Sequence, residues 1–406
     1  MKIIVYVAPF WMRTSLQFAQ SLSKLRKVHL GEQGVYLIGI SQQAPKDASV
    51  FDRVILVKNA LDRQELQQTL LGIQQHFGKI HRLLGILEQL QEVLAEVRED
   101  LNIVGERPTT VEAFRDKAVM KERLSAAGIR CAQFIKTHQW SDVQHFAQKY
   151  GFPVVVKPPA GAGCKSTVRC QNMTELQQAF QSIPKPLLVE EFLTGTEHSM
   201  EGFVLKGEVQ MLSCSRYYPT PLEVMENPWI QWAVHFPKDL SSPKFQQAKI
   251  IGAEVIKALG IQTAMTHMEW FCRENGEIVV GEIGGRPPGA RFVDCTSAVY
   301  GRNVHDAWAR LMVFEDWQSG WHRQNGVMIV FLRAQGKGRI ASIVGLDAAQ
   351  KQIGSLVIDV HLPQKGQIKG DGYEGDGWVI LQHSDDQMLL KAAQILLRTV
   401  QVRCTE

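Results

Sequence analysis

Residues 279–289 read Val-Val-Gly-Glu-Ile-Gly-Gly-Arg-Pro-Pro-Gly: an apolar strand that ends in Glu282 and then, past two glycines, Arg286. A carboxylate and a guanidinium held this close on a Gly/Pro-rich turn form a polyphosphate clamp, in which the carboxylate takes Mg²⁺ and the guanidinium neutralises oxygens. Just upstream, Thr266–Cys272 (THMEWFC) alternates as a strand, carries Glu269, and is joined to the first strand by the turn Arg273–Gly276 (RENG). Two carboxylates on paired strands, facing one arginine, point to phosphoryl chemistry. Either glutamate alone would be an ordinary charge on a surface hairpin, so the neighbouring segments decide between the readings.

Lys157 closes the strand GFPVVVK and opens directly into Pro158–Thr167 (PPAGAGCKST). Gly161 and Gly163 let backbone N–H groups approach phosphate oxygens, and a lysine at the base of the loop supplies a point charge. The order Gly-Cys-Lys-Ser ending at Ser166 is not the Gly-Lys-Ser of a P-loop, and a strand follows where a P-loop needs a helix. Leu187–Glu197 (LLVEEFLTGTE) starts as a buried strand and breaks at Thr194-Gly195-Thr196. Such a break exposes backbone groups that can read a purine edge, while leucine and phenylalanine cover its faces. Glu190-Glu191 alone is a solvated strand end, and Arg115-Asp116-Lys117 alone is a charge cluster on a helix.

Around these motifs the chain divides into three. Residues 1–107 alternate short apolar runs (Ile3–Val7, Val35–Ile40, Val54–Val57, Leu83–Leu87) with helical patterns (Leu61–Phe77, Gln89–Leu101), which predicts a doubly wound α/β domain. Its first strand–helix junction, Ala8–Ser15, lacks the GxGxxG glycines of a dinucleotide site. The stretch ERPTTV (106–111) marks a boundary, and Glu112–Ala127 has the periodicity of one helix. Residues 108–322 then mix strands and helices in an α+β order. From 323 to 406 short strands and glycine turns lead to a last helix over Gln387–Val400.

In order, the motifs are a helix with Asp-Lys, a strand ending in lysine, a glycine loop, Glu-Glu-Phe-Leu followed by Gly-Thr-Glu, and then Glu and Glu-Ile-x-x-Arg. This set resembles the ATP-grasp superfamily, and the flanking domains resemble its carboxylate–amine (L-amino acid and dipeptide) ligase branch. The resemblance implies an N-terminal pre-ATP-grasp domain, a central ATP-grasp fold, and a C-terminal β-rich lid. It further implies ATP as cosubstrate with Lys117 and Lys157 on its phosphates. Pro158–Thr167, with Gly161, Gly163 and Ser166, would be a mobile loop over the nucleotide; Glu190, Glu191, Phe192 and Leu193 the adenine hinge; and Glu197 the ribose contact. Glu269 and Glu282 would hold Mg²⁺ (or Mn²⁺), and Arg286 would bind the transferred phosphoryl group, making Lys157, Glu282 and Arg286 the catalytic set. The chain departs from the family's Glu-x-Asn-x-Arg at Gly284, which removes an oxygen ligand for one metal. It also has Cys164 where serine is common, a poor hydrogen-bond donor.

The implied reaction is amide formation between a small acid and an amine through an acyl phosphate, releasing ADP and phosphate. The rivals are a biotin-carboxylase-like enzyme using bicarbonate and a nucleotide-binding protein without turnover. Other side chains are open at this level: His198 and His267 adjoin the motifs, Arg291 follows the turn, and Tyr217, Tyr218, Trp229 and Trp232 either line an acceptor pocket or pack beneath a loop, packing being the commoner outcome.

The 406 residues carry a net charge of +4 with 45% apolar and 21% charged residues, too weak and scattered a charge for nucleic acid. Seven cysteines without a CxxC pair read as reduced thiols of a cytoplasmic protein. No apolar run reaches membrane-spanning length. The expected partners are therefore small-molecule acid and amine, with a homodimer the default assembly.

Overall fold

The computed structural model describes residues 1–27, 34–161, 163 and 166–405. Its first sheet is built from β1 (Lys2–Val7), β2 (Val35–Ser41), β3 (Arg53–Leu56) and β4 (Ile80–Leu84), all parallel in the order β3-β2-β1-β4. Near-continuous apolar runs such as KIIVYV suit strands covered on both faces. Helices α1 (Arg13–Lys24), α2 (Arg63–Phe77) and α3 (Gln91–Asp100) supply that cover. The fourth strand starts at Ile80, three residues before the apolar run Leu83–Leu87 that predicts it, because Ile80–Leu84 (IHRLL) carries a histidine and an arginine in its middle.

The single helix expected over Glu112–Ala127 is two, α4 (Pro108–Arg115) and α5 (Lys117–Ala126). Asp116 interrupts them: its backbone is extended (φ −88°, ψ 109°), and its carboxylate accepts from the N–H groups of Ala118 and Val119. The side chain thus satisfies two donors at the new helix start, which is why an aspartate inside an apolar periodicity can end a helix and begin another.

A small antiparallel sheet follows, β5 (Phe134–Thr137), β6 (Val154–Lys157), β7 (Val168–Cys170) and β8 (Leu187–Glu191) in the order β5-β8-β6-β7, backed by α6 (Trp140–Tyr150) and α7 (Met173–Ser182). The large sheet begins with β9 (Thr196–Leu205), β10 (Glu208–Tyr218) and β11 (Trp232–Phe236), with α8 (Pro221–Glu226) between the last two. After α9 (Pro243–Leu259) come the hairpin strands β12 (Ala264–Cys272) and β13 (Ile278–Gly284), then α10 (Phe292–Tyr300) and α11 (Val304–Phe314). The last block adds β14 (Gly326–Leu332), β15 (Ile340–Val344), α12 (Leu346–Ile353), β16 (Val357–His361), β17 (Gly377–His383), α13 (Asp386–Thr399) and β18 (Gln401–Cys404). Eight of these strands form one antiparallel sheet, β13-β12-β9-β10-β11-β14-β17-β16, while β15 and β18 pair separately. The sheet therefore runs from the metal-type hairpin into the last block without interruption.

Alternation along β9 and β12 sets what each face carries. Met200, Met268 and Trp270 point to an apolar core with α9 (Phe245, Val255, Ile256). Glu197, Ser199 and Glu201 point the other way and sit opposite Phe271, Glu269 and His267. Glu269 in turn lies opposite Glu282 on β13, beside a register shift at Glu269/Trp270. One face of the sheet is thus greasy and the other a polar ladder, and the ladder is where the chemistry-bearing residues collect.

Candidate active site

A cavity of about 160 Å³ opens between the small sheet and the polar ladder, lined among others by Lys117, Lys157, Glu190, Leu193, Glu197, Glu269 and Glu282. A second, narrower compartment of about 80 Å³ adjoins it, lined by Glu88, Tyr217, His267, Gly284, Arg286 and Phe292. The two share Lys117, Glu269 and Glu282. Residues far apart in sequence thus converge on one cleft with two ends.

The lysines arrive by different routes. Lys117 is the first residue of α5, at the break that Asp116 makes; its ammonium lies 3.3 Å from Glu282 and donates to the carbonyl of Gly161 at 3.1 Å. Lys157 ends β6 and pairs with Glu190 at 2.9 Å. Burial, the largest influence on Lys157, disfavours its charge, but Glu190, Glu282 and Glu269 overcome it and raise its pKa. Lys121, which the reading passed over, is fully buried, donates to the carbonyl of Gly281 at 2.9 Å, and reaches Glu190 at 3.4 Å. Its signal was present: it stands one helical turn after Lys117, on the same face.

The carboxylates differ by surroundings. Burial opposes ionisation of Glu282, yet Lys117, Lys157 and Lys121 outweigh it and bring its pKa down to about 2. Glu269 is raised by burial and by the charge of Glu282, and Glu197 well above the ordinary range by burial and by Glu269 and Glu282. Tyr217 donates to Glu269 at 3.4 Å, and His267 stands between Glu201 (3.1 Å) and Glu269 (3.9 Å). Ser199 also donates to Glu201, at 2.7 Å. Among the described residues no group of three or more His, Cys, Asp or Glu side chains is arranged to hold an ion. The crowded pair Glu269 and Glu282 nonetheless fits a divalent cation that takes its remaining oxygens from phosphates and water, since such a charge would relieve their repulsion.

The hinge segment is divided by strand alternation. The Glu190 side chain turns in to the two lysines, whereas Glu191 turns out to Arg130 (2.6 Å) and Arg273 (3.8 Å), so both carboxylates are engaged within the protein. The N–H groups of Glu191 and Phe192 bond the carbonyls of Gln133 and Pro153, and Phe192 and Leu193 line the cavity. The chain can leave β8 here because Gly195 (φ +122°) passes the backbone of β12 so closely that a Cβ would come within 2.3 Å of the Cys272 carbonyl oxygen. Glu197, the second residue of β9, lies inside the same cavity, next to the other carboxylates.

In the loop, Gly161, Gly163 and Thr167 line the cavity and Ser166 is exposed with a left-handed backbone (φ +59°). Cys164, with Ala162 and Lys165, lies outside the described residues. Arg286 pairs with Glu88, a residue just past β4 of the first sheet that no local pattern singles out. Arg291 is not free for a substrate: Asp294 and Asp359 hold it at 3.3 and 3.1 Å. His198 is sealed under Trp270, its ring stacked 4.2 Å away, and bonds Ser215 and Thr196. Tyr217 and Tyr218 belong to β10 and Trp232 to β11; Tyr217 and Trp232 both pack and line the second compartment, while Trp229 is exposed.

Comparison with known proteins bears on this cleft. The model of the ATP-grasp domain matches residues 122–293. The chain carries an ATP-grasp domain. The ATP-grasp span contains every carboxylate of the ladder together with Lys157 and Arg286, and leaves Glu88 and Lys117 outside it. An L-arginine-specific L-amino acid ligase of Bacillus subtilis is 22% identical over 343 residues, 82% of either chain. An uncharacterized protein of Sinorhizobium fredii, y4rH, is 24% identical over 258 residues; the chain spans about half (52%) of that relative's length. The crystal structure of an L-amino acid ligase from Bacillus licheniformis superposes with a TM-score of 0.80 at 17% identity, covering 99% of this chain and 98% of that one, so the two share their fold from end to end. No helix among the described residues is long and apolar enough to cross a membrane.

Proposed function

We propose that the protein is an ATP-dependent, ADP-forming ligase that joins the carboxylate of a small acid, an amino acid in the first instance, to an amine. The observation that carries this reading is the meeting of two compartments at Glu269, Glu282 and Lys117. One end supplies lysines, a glycine loop and the Phe192–Leu193 strand exit, a set suited to a nucleotide. The other supplies Arg286, Glu88 and a narrower pocket walled by Phe114, Trp232 and Phe292. The γ-phosphate belongs at the junction.

There the acid's carboxylate oxygen attacks the γ-phosphorus in line, the bond to the β-bridging oxygen breaks, and ADP leaves. Glu269 and Glu282 would hold a Mg²⁺ (or Mn²⁺) ion, which would supply positive charge against the phosphate charge that develops in the transfer. Lys117 and Lys157 carry the cationic share from the protein, and Arg286 faces the acyl-phosphate oxygens. The amine, as the free base, then attacks the carbonyl carbon; the carbon–oxygen bond to phosphate breaks, giving amide and phosphate, with the ammonium proton passing to solvent. A carboxylate is a poor electrophile, and the phosphate leaving group corrects that.

The resemblance in sequence to an L-amino acid ligase over 82% of the chain supports this assignment over the carboxylase and the non-catalytic readings. The test is product and label: ADP should form rapidly only with both acid and amine, and one ¹⁸O of a labelled carboxylate should appear in the released phosphate. AMP and pyrophosphate as products, or turnover that requires bicarbonate and biotin, would overturn it. So would tight ATP binding without turnover across acid and amine panels.

A further inference from the structure

Arg286 does not face an empty compartment. Its guanidinium is paired with Glu88, which reaches across from the first domain, and the other oxygen of Glu88 holds Arg115 at 2.5 Å. Burial opposes charge on Glu88, but Arg286 and Arg115 outweigh it and keep its pKa below the ordinary range.

Three observations make this pair a place for a ligand. The first is topological: the order β3-β2-β1-β4 reverses direction between β1 and β4, and Glu88 stands just beyond the carboxyl end of β4. Open parallel sheets bind ligands in the crevice at such a reversal. The second is that Glu88 and Arg286 line the same compartment as Glu269 and Glu282, where the acid must lie to be phosphorylated. The third is Gly284, on the hairpin strand: a Cβ there would lie 3.8 Å from the Glu88 oxygen that Arg286 binds and 3.9 Å from Arg286 itself. A longer side chain, such as the asparagine of the family pattern, would crowd that oxygen. Glycine keeps space beside it.

We infer that Glu88 is the ammonium-recognising residue of the acid subsite: a zwitterionic α-amino acid separates the Glu88–Arg286 pair, its carboxylate going to Arg286 and its ammonium to the oxygen of Glu88 that Arg286 releases. Arg115 keeps the other oxygen throughout. The exchange is charge-neutral, one cation and one anion entering where one ion pair parts. An acid without an ammonium group takes Arg286 away and leaves the half-buried carboxylate short of a counter-charge, which is costly. Selection for amino acids is therefore built into the resting site, and the rings of Phe114, Trp232 and Phe292 wall the space left for a side chain. The inference rests on the ligase reading only in taking the bound amino acid to be the species activated.

Binding tests it apart from turnover. The full chain, with Mg²⁺ and a non-hydrolysable ATP analogue, is titrated calorimetrically with glycine, L-alanine, L-leucine and L-arginine, and with their des-amino counterparts acetate, propionate, 4-methylpentanoate and 5-guanidinopentanoate. At least one amino acid should bind about tenfold or more tightly than its counterpart, as expected for loss of a charge-assisted hydrogen bond. Glu88→Gln should erase that preference while retaining affinity for the ATP analogue. No preference in the wild type, a preference that survives Glu88→Gln, or equal weakening of both acid series would overturn the assignment, the last marking Glu88 as a prop for Arg286 alone. Should Glu88→Gln fail to fold, Glu88→Asp, which keeps the charge and withdraws it, should reduce the preference in part; an unchanged preference there counts against the inference. ADP formation is scored separately: amino-acid preference without ADP overturns the ligase reading alone, and ADP formation without preference overturns the role of Glu88 alone.

Discussion

Glu190 and Glu269 line one cavity, yet their surroundings drive them in opposite directions. Glu190 is sealed, 6% exposed, and burial is overcome by Lys121 and Lys157, which lower its pKa. Glu269 keeps 28% of its side chain open and faces the cavity; burial and the neighbouring Glu282 raise its pKa. The first carboxylate completes the frame that sets two lysines, while the second is left in want of a cation. A residue's type does not assign it to scaffold or to chemistry; its counter-charges do.

The sharpest way to break this contrast is Glu190→Gln, which strips two buried ammonium groups of their partner. Leaving buried charge unpaired costs on the order of 3–5 kcal/mol, so urea denaturation should show a large fall in midpoint. A stable Glu190→Gln protein would mean the pair is not part of the frame. Glu269→Gln should do the reverse, lowering ADP formation at least about a hundredfold while raising the unfolding temperature of the nucleotide-free protein at neutral pH.

The pH dependence separates them further. A group whose folded pKa is raised gives stability that is full below its unfolded value and is lost as pH rises through the folded one. The nucleotide-free protein should therefore lose the contribution of Glu269 and Glu197 as pH rises from the ordinary glutamate range towards neutrality. Mg²⁺ with an ATP analogue should restore it, and melting curves at pH 5 and pH 8 with and without them test this. An equal shift at both pH values would count against the cation site. The smallest effect belongs to Asp116→Ala: losing the cap of α5 should cost about 1 kcal/mol and blunt turnover slightly through Lys117, without changing the pH response.

The same contrast explains what could be read from sequence. Glu269 and Glu282 were legible as neighbours because a short turn pairs their strands, but strict register would set Glu269 opposite Gly281; the shift between Glu269 and Trp270, which no alternation announces, brings Glu282 across from it. Glu190 was visible as a strand-end glutamate, but its lysine partners were not, since Lys121 is buried only once α5 packs against β13. The break at Asp116 was hidden inside an unbroken apolar period. Glu88 left no local trace: its place follows from the strand order of the first sheet and from a contact across 198 positions of sequence. Arg291 misled for a related reason, since its partner Asp359 comes from the far edge strand β16.

The uninterrupted eight-stranded sheet has a consequence for recombination among relatives. Trp232 and Phe236 on β11 pair across residue 322 with Phe331 and Val327 of β14, and Tyr373 from the last block lines both compartments. A chimera spliced at that point would bring together two halves of one sheet that never co-evolved, and a fragment ending there would bare the edge of β11 to self-association. Grafts that carry β14, β16 and β17 along with the nucleotide cleft keep sheet and pocket wall together.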